Sequence, residues 1–140
     1  MRSGRSMTNV IIVGGNDETS LLLRGLLRLH RQRVLGEGTT PSYLARLPDG
    51  QGPEVLLLDV DLEDSEWFGA VRSVIGAHPG MRTILLTPTR SGRVEELARQ
   101  AGVAHLLRRP FAVHELIEAV DPGALSGTLA QPRDPLGPQK

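Results

Sequence analysis

The chain has 140 residues, 16 Lys plus Arg balanced by 16 Asp plus Glu, a hydrophobic share of 39% and no cysteine. That length fits one ordinary domain whose core stands without covalent staples. Zero Cys excludes a disulfide scaffold, thiolate zinc sites and a cysteine nucleophile. A formal charge of zero excludes a chain-wide basic field for nucleic acid. Four aromatic residues (Tyr43, Trp67, Phe68, Phe111) are too few for a base-stacking platform. No apolar run approaches the roughly 18 residues that span a membrane. Residues 1–7 are polar and lack the apolar stretch of a secretion signal. A cytoplasmic protein without nucleic-acid or membrane contacts is expected. Arg supplies 15 of the 16 basic residues, and the sole lysine is Lys140, so no internal lysine serves as a catalytic amine or phosphate ligand.

Residues 1–7 read as a disordered arm and the Pro-rich stretch 122–140 as a flexible tail, which leaves a folded body over 8–121. The body opens on the β-branched run Val10-Ile11-Ile12-Val13, the mark of a strand buried on both faces. Gly14-Gly15 ends it, and Asn16 or Asp17 caps the helix that follows. That helix carries Leu22, Leu23, Leu26, Leu27 and Leu29 near helical period, with Arg24, Arg28 and Arg31 outside. A weak strand over 33–38 comes next, then a short helix over 42–47 introduced by Pro41. Val55-Leu56-Leu57-Leu58 is a second strand buried on both faces, and it ends in Asp59. A helix is expected over 65–77, broken by His78-Pro79-Gly80. A strand over 83–87 stops at Pro88. A helix over 92–100 follows, with Gly102 as its C-terminal cap. A strand over 103–107, a turn at Pro110 and a helix over 113–120 complete the series.

Strand then helix, five times over, with all-apolar central strands, predicts an α/β fold. This is a flavodoxin-like (βα)5, doubly wound parallel five-stranded sheet, helices on both faces in a three-layer sandwich. In such sheets the working surface lies at the carboxyl ends of the strands. The residues expected there are Gly14, Gly15, Asn16 and Asp17; Asp59, Val60 and Asp61; Thr87, Pro88 and Thr89; and Arg108, Arg109 and Pro110. A carboxylate, a hydroxyl and a guanidinium converge from three strands.

These pieces resemble a response-regulator receiver domain over about residues 9–121. PEVLLLDVDLED (53–64) resembles the receiver's third strand, with the phosphoacceptor at Asp59. TILLTPT (83–89) resembles the fourth, with its hydroxyl residue at Thr87. HLLRRPF (105–111) resembles the fifth strand and its Lys-Pro-Phe turn, with Arg109 in the lysine's place. VIIVGGNDE (10–18) resembles the first strand, with Gly14 and Gly15 where the family has its acidic pair. The resemblance implies phosphoryl transfer to Asp59 from a sensor histidine kinase or a small phosphodonor, with Mg²⁺ neutralising the phosphoryl oxygens.

The departures weaken that expectation. Mg²⁺ takes about six oxygens in near-octahedral geometry, with carboxylates supplying charge, and glycine side chains supply none. Asp61 and Asp17 are the carboxylates available for rescue. Their other readings are a solvated residue and a helix cap. Arg109 is open to two placements. It reaches Asp59 with two parallel hydrogen bonds and takes the place of the metal, or it turns outward beside Arg108. Thr87 reads as a phosphoryl hydrogen-bond donor or as a strand-end threonine bonding local backbone. The family's aromatic switch position falls at Leu106, which has no hydroxyl. The histidines (His30, His78, His105, His114) show no metal-ligand spacing.

The expected function is therefore a stand-alone, atypical receiver in two-component signalling. It acts by contact with a sensor histidine kinase or other signalling protein, with weakened or absent Mg-dependent phosphorylation at Asp59. A homodimer is compatible with it, and no cofactor and no enzymatic activity are expected. The alternative is a small nucleotide or phosphate binder whose glycine pair lets backbone N–H groups approach an anion. Neither of the fuller glycine motifs for such ligands is present.

Overall fold

The computed structural model describes residues 8–14, 17–47, 53–87 and 92–122. The arm 1–7 and, apart from Pro122, the tail 122–140 expected from composition lie outside the described residues.

Five parallel strands form one sheet in the order β2-β1-β3-β4-β5: β1 Asn9–Gly14, β2 Arg33–Gly38, β3 Val55–Asp59, β4 Arg82–Thr87 and β5 His105–Arg108. The helices are α1 Asp17–Leu29, α2 Pro41–Ala45, α3 Ser65–Ala77, α4 Gly92–Ala101 and α5 Val113–Val120. The side-chain period of two sends alternate strand residues to opposite faces. Ile11, Val13, Leu56, Leu58 and Leu85 pack with α2, α3 and α4. Val10, Ile12, Val55, Leu57, Ile84 and Leu86 pack with α1 and α5. Apolar residues on both faces of β1, β3 and β4 are what two cores require, and the three-layer (βα)5 architecture follows.

Local chemistry sets the element ends. The Asp64 carboxylate caps α3 by accepting from the Glu66 amide at 2.9 Å. At the far end of α4, Gly102 takes φ +93°, and the Gly102 and Val103 amides both donate to the Ala98 carbonyl. Val103, expected as the first residue of a strand over 103–107, is thereby used to finish the helix, and β5 starts two residues later. The short helix α2 likewise ends at Ala45 rather than residue 47, with the Arg46 amide turning back to Tyr43 O.

Two further differences concern α1 and the sheet edge. Leu22 and Leu29 are expected in the buried stripe, yet of its leucines α1 buries only Leu23 and Leu27 fully and Leu26 in part. Leu21, Leu22 and Leu29 are 59%, 63% and 77% exposed. A helix on a sheet covers one apolar stripe, and the six leucines between 21 and 29 wrap further round than that stripe reaches. At the edge, β2 carries a register shift opposite Val10/Ile11. The Tyr43 ring from α2 lies over Gly36 and Gly38, and a Cβ on Gly38 would meet its Cγ at 2.2 Å. Burial raises the Tyr43 phenol above its ordinary pKa, and the neighbouring Glu37 carboxylate adds to that.

Candidate functional site

The site is assembled by register. β1 and β3 end side by side with Gly14 opposite Asp59, and β4 and β5 with Thr87 opposite Arg108. The Arg109 amide continues this ladder by donating to the Thr87 carbonyl at 2.9 Å. The two consecutive arginines then take different partners. Arg108 pairs with Glu95 on α4. Arg109 reaches across β4 to Asp59, its Nη1 donating to Oδ1 at 3.3 Å and its Nη2 to Oδ2 at 3.1 Å. The Asp59 side chain is 15% exposed and that of Arg109 is 32% exposed. Of the two placements open for Arg109, the structure takes the one on Asp59. Such a fork fixes the carboxylate plane as well as its charge, which an ammonium cannot do.

Gly14 accounts for the other half of the arrangement. Its φ is +96°, and a Cβ there would lie 2.4 Å from the Asp59 carbonyl oxygen and 2.5 Å from Val60 Cγ1. The glycine therefore does more than withhold a carboxylate. The backbone of β3 and the Val60 side chain fill the space that a side chain at 14 would need. Val60 is expected at this strand end from the sequence; that its branched side chain fills the space beside Gly14 is what the structure adds.

An open cleft of about 400 Å³ lies over the pair, lined by Asp59, Val60, Asp61, Glu63, Thr87 and Arg109, among others. Thr87 is buried at the end of β4. Asp61 borders the cleft but is exposed, and its Oδ1 accepts from the Glu63 amide at 2.9 Å, closing a local turn. Glu63, which the sequence did not single out, adds a second exposed carboxylate on the rim. Gly15 and the Asp17 side chain lie outside the described residues. Leu106, at the family's aromatic switch position, is half-buried against the α2–α4 core. Trp67 and Phe68 are half-buried against the same core. His78 sits at the C-terminal end of α3, its Nδ1 3.1 Å from the Val74 carbonyl.

The described side chains do not fit the Mg²⁺ that a receiver of the usual kind holds. Both Asp59 oxygens carry guanidinium hydrogen bonds, position 14 has no room for a ligand, and Asp61 is turned to its own loop. No group of three or more His, Asp or Glu among the described residues could hold a metal ion. Nor is any described helix long and apolar enough to cross a membrane.

No protein-family model matches the sequence. Solved structures do match. A protein of Burkholderia pseudomallei named as pilus assembly-related superposes with a TM-score of 0.76 at 23% identity, over 89% of this chain and 94% of that one. A pilus assembly protein (CpaE) of Burkholderia thailandensis gives 0.71 at 25% identity, over 86% and 99%. A CheY-like response-regulator receiver domain of Methanospirillum hungatei gives 0.68 at 22% identity, over 85% and 94%. The chain has the fold of a CheY-like response-regulator receiver domain, with its five parallel strands and five helices in the same arrangement.

Proposed function

We propose that the chain is a receiver-type signalling module of the pseudo-receiver kind. Its phosphoacceptor position is held by an internal cation, and it acts by contact with protein partners rather than by catalysis. One observation carries this reading: the two-pronged Arg109–Asp59 pair at the place where the receiver's metal and phosphoryl chemistry belongs. A carboxylate that accepts a phosphoryl group needs a free oxygen aligned with the donor and a cation on the phosphoryl oxygens. Here the guanidinium occupies the oxygens and spends its charge on them. Without metal charge the transfer loses its main electrostatic stabilisation. The domain then rests in one state, and its output is constitutive. A sensor histidine kinase, if it docks, meets a surface rather than an acceptor.

The test is intact-protein mass spectrometry after incubation with Mg²⁺ and acetyl phosphate. The locked pair predicts no gain of a phosphoryl mass. A gain that Asp59→Asn abolishes would overturn the proposal.

A second reading concerns the setting rather than the site. The pilus-named neighbours superpose with TM-scores of 0.76 and 0.71, against 0.68 for the receiver from Methanospirillum hungatei. That favours a receiver-shaped docking module in a pilus-type assembly, with the same locked pocket. The nucleotide or phosphate binder gains no such support. Gly14, half of its glycine pair, is accounted for by its packing on β3.

A further inference from the structure

We infer that a second copy of this chain covers the exposed leucine face of α1, the two helices lying antiparallel across a two-fold axis through Gly25. The face consists of Leu21, Leu22 and Leu29, all more than half exposed, around Gly25, where an added Cβ would meet nothing within 4 Å. Leu21, Gly25 and Leu29 follow at intervals of four, so they share one side of the helix. The pattern reads the same in both directions, a ridge, a notch and a ridge. An antiparallel copy therefore sets Leu21 of each chain against Leu29 of its partner, with the backbones closest at the two glycines. A symmetric dimer requires a self-complementary patch of this kind. Gly25 is otherwise a cost: a solvent-facing glycine inside a helix weakens it, and among the described residues no turn, positive φ or close approach calls for one here.

Charge selects the same occupant and the same sense. The N-terminal end of the face carries Glu18, and the C-terminal end carries Arg28 and, just past the helix, Arg31, all exposed. Antiparallel pairing brings the acidic end of each copy to the basic end of the other, and it also opposes the helix dipoles. Parallel pairing would set like charges together. A helix of 13 residues is about 20 Å long. A single such pair buries less than a standard interface of about 1,600 Å². The dimer is therefore a weak, concentration-dependent one.

Sedimentation velocity on the full chain, from about 10 μM to about 1 mM, tests this. The expected result is a sedimentation coefficient that climbs from monomer toward dimer across that range. Leu22→Glu should hold the chain monomeric throughout. Gly25→Gln should do the same by filling the notch, while leaving the melting temperature unchanged or raised, since Gln is the better helix former. Glu18→Arg should weaken association at least several-fold. A chain that stays monomeric at every concentration overturns the inference. So does a dimer that survives Leu22→Glu and Gly25→Gln, since its interface lies elsewhere. A dimer strengthened by Glu18→Arg overturns the antiparallel sense.

Discussion

The pocket at the carboxyl end of the sheet and the outer face of α1 treat their side chains in opposite ways. In the pocket, charge is answered from within: Asp59 by Arg109, and the neighbouring Arg108 by Glu95. On α1, three leucines are left facing outward around a glycine that no contact among the described residues requires. The first region is closed on itself, and the second is unfinished without something else. If the domain is the pseudo-receiver proposed above, its surfaces are its means of acting, and the proposed α1 contact is one of them.

Substitutions can break this contrast, and the largest effect is expected at Gly14. Gly14→Asp supplies the carboxylate that the receiver resemblance leads one to miss. It should nevertheless destabilise the fold by roughly 3 kcal/mol, through a strained φ and a collision with the β3 backbone. Chemical denaturation reads this directly, and a variant as stable as the parent would show that the space can open. Next come the two halves of the ion pair. Arg109→Ala leaves a mostly buried carboxylate without its partner and should cost about 1–3 kcal/mol, between the values for exposed and buried pairs. An unchanged melting temperature would mean that the pair contributes nothing to holding the pocket. Arg109→Lys keeps the charge but loses the fork, so a smaller loss, about 1 kcal/mol, is expected. The smallest effects belong to α1. Leu22→Glu should change monomer stability by no more than about 0.5 kcal/mol, because the side chain is 63% exposed. Gly25→Ala should add up to about 1 kcal/mol at a concentration where the chain is monomeric. A large loss at either position would place that face inside the monomer's own core.

Much of the fold was legible because β1, β3 and β4 announce themselves. Short continuous Val, Ile and Leu runs set between turn signals read as strands covered on both faces, and Asp59 and Thr87 fall at their ends by counting. Asp59 and Arg109 lie 50 residues apart, and the sequence could name the pair without deciding which way Arg109 turns. That choice depends on register, since Arg109 follows β5 directly and its amide bonds to Thr87. Gly14 was legible as a missing carboxylate but not as a filled space. The Val60 side chain and the Asp59 carbonyl that fill it become neighbours only when β1 and β3 pair. The failure on α1 has a different origin. Periodicity shows that a helix is apolar, but six leucines in nine positions do not reveal which of them the sheet covers. Val103 was lost from β5 because a helix cap and a strand start compete for the same residue, and the Gly102 turn decided it.

The Arg109–Asp59 lock is tested most directly by backbone amide NMR of the full chain, titrated with Mg²⁺ in the presence and absence of beryllofluoride, a mimic of an aspartyl phosphate. The lock predicts that the amides of Asp59, Val60, Thr87 and Arg109 keep their positions up to high Mg²⁺, with or without beryllofluoride. Saturable shifts at those residues that require both Mg²⁺ and beryllofluoride would contradict it. They would make the pocket a working phosphoryl switch.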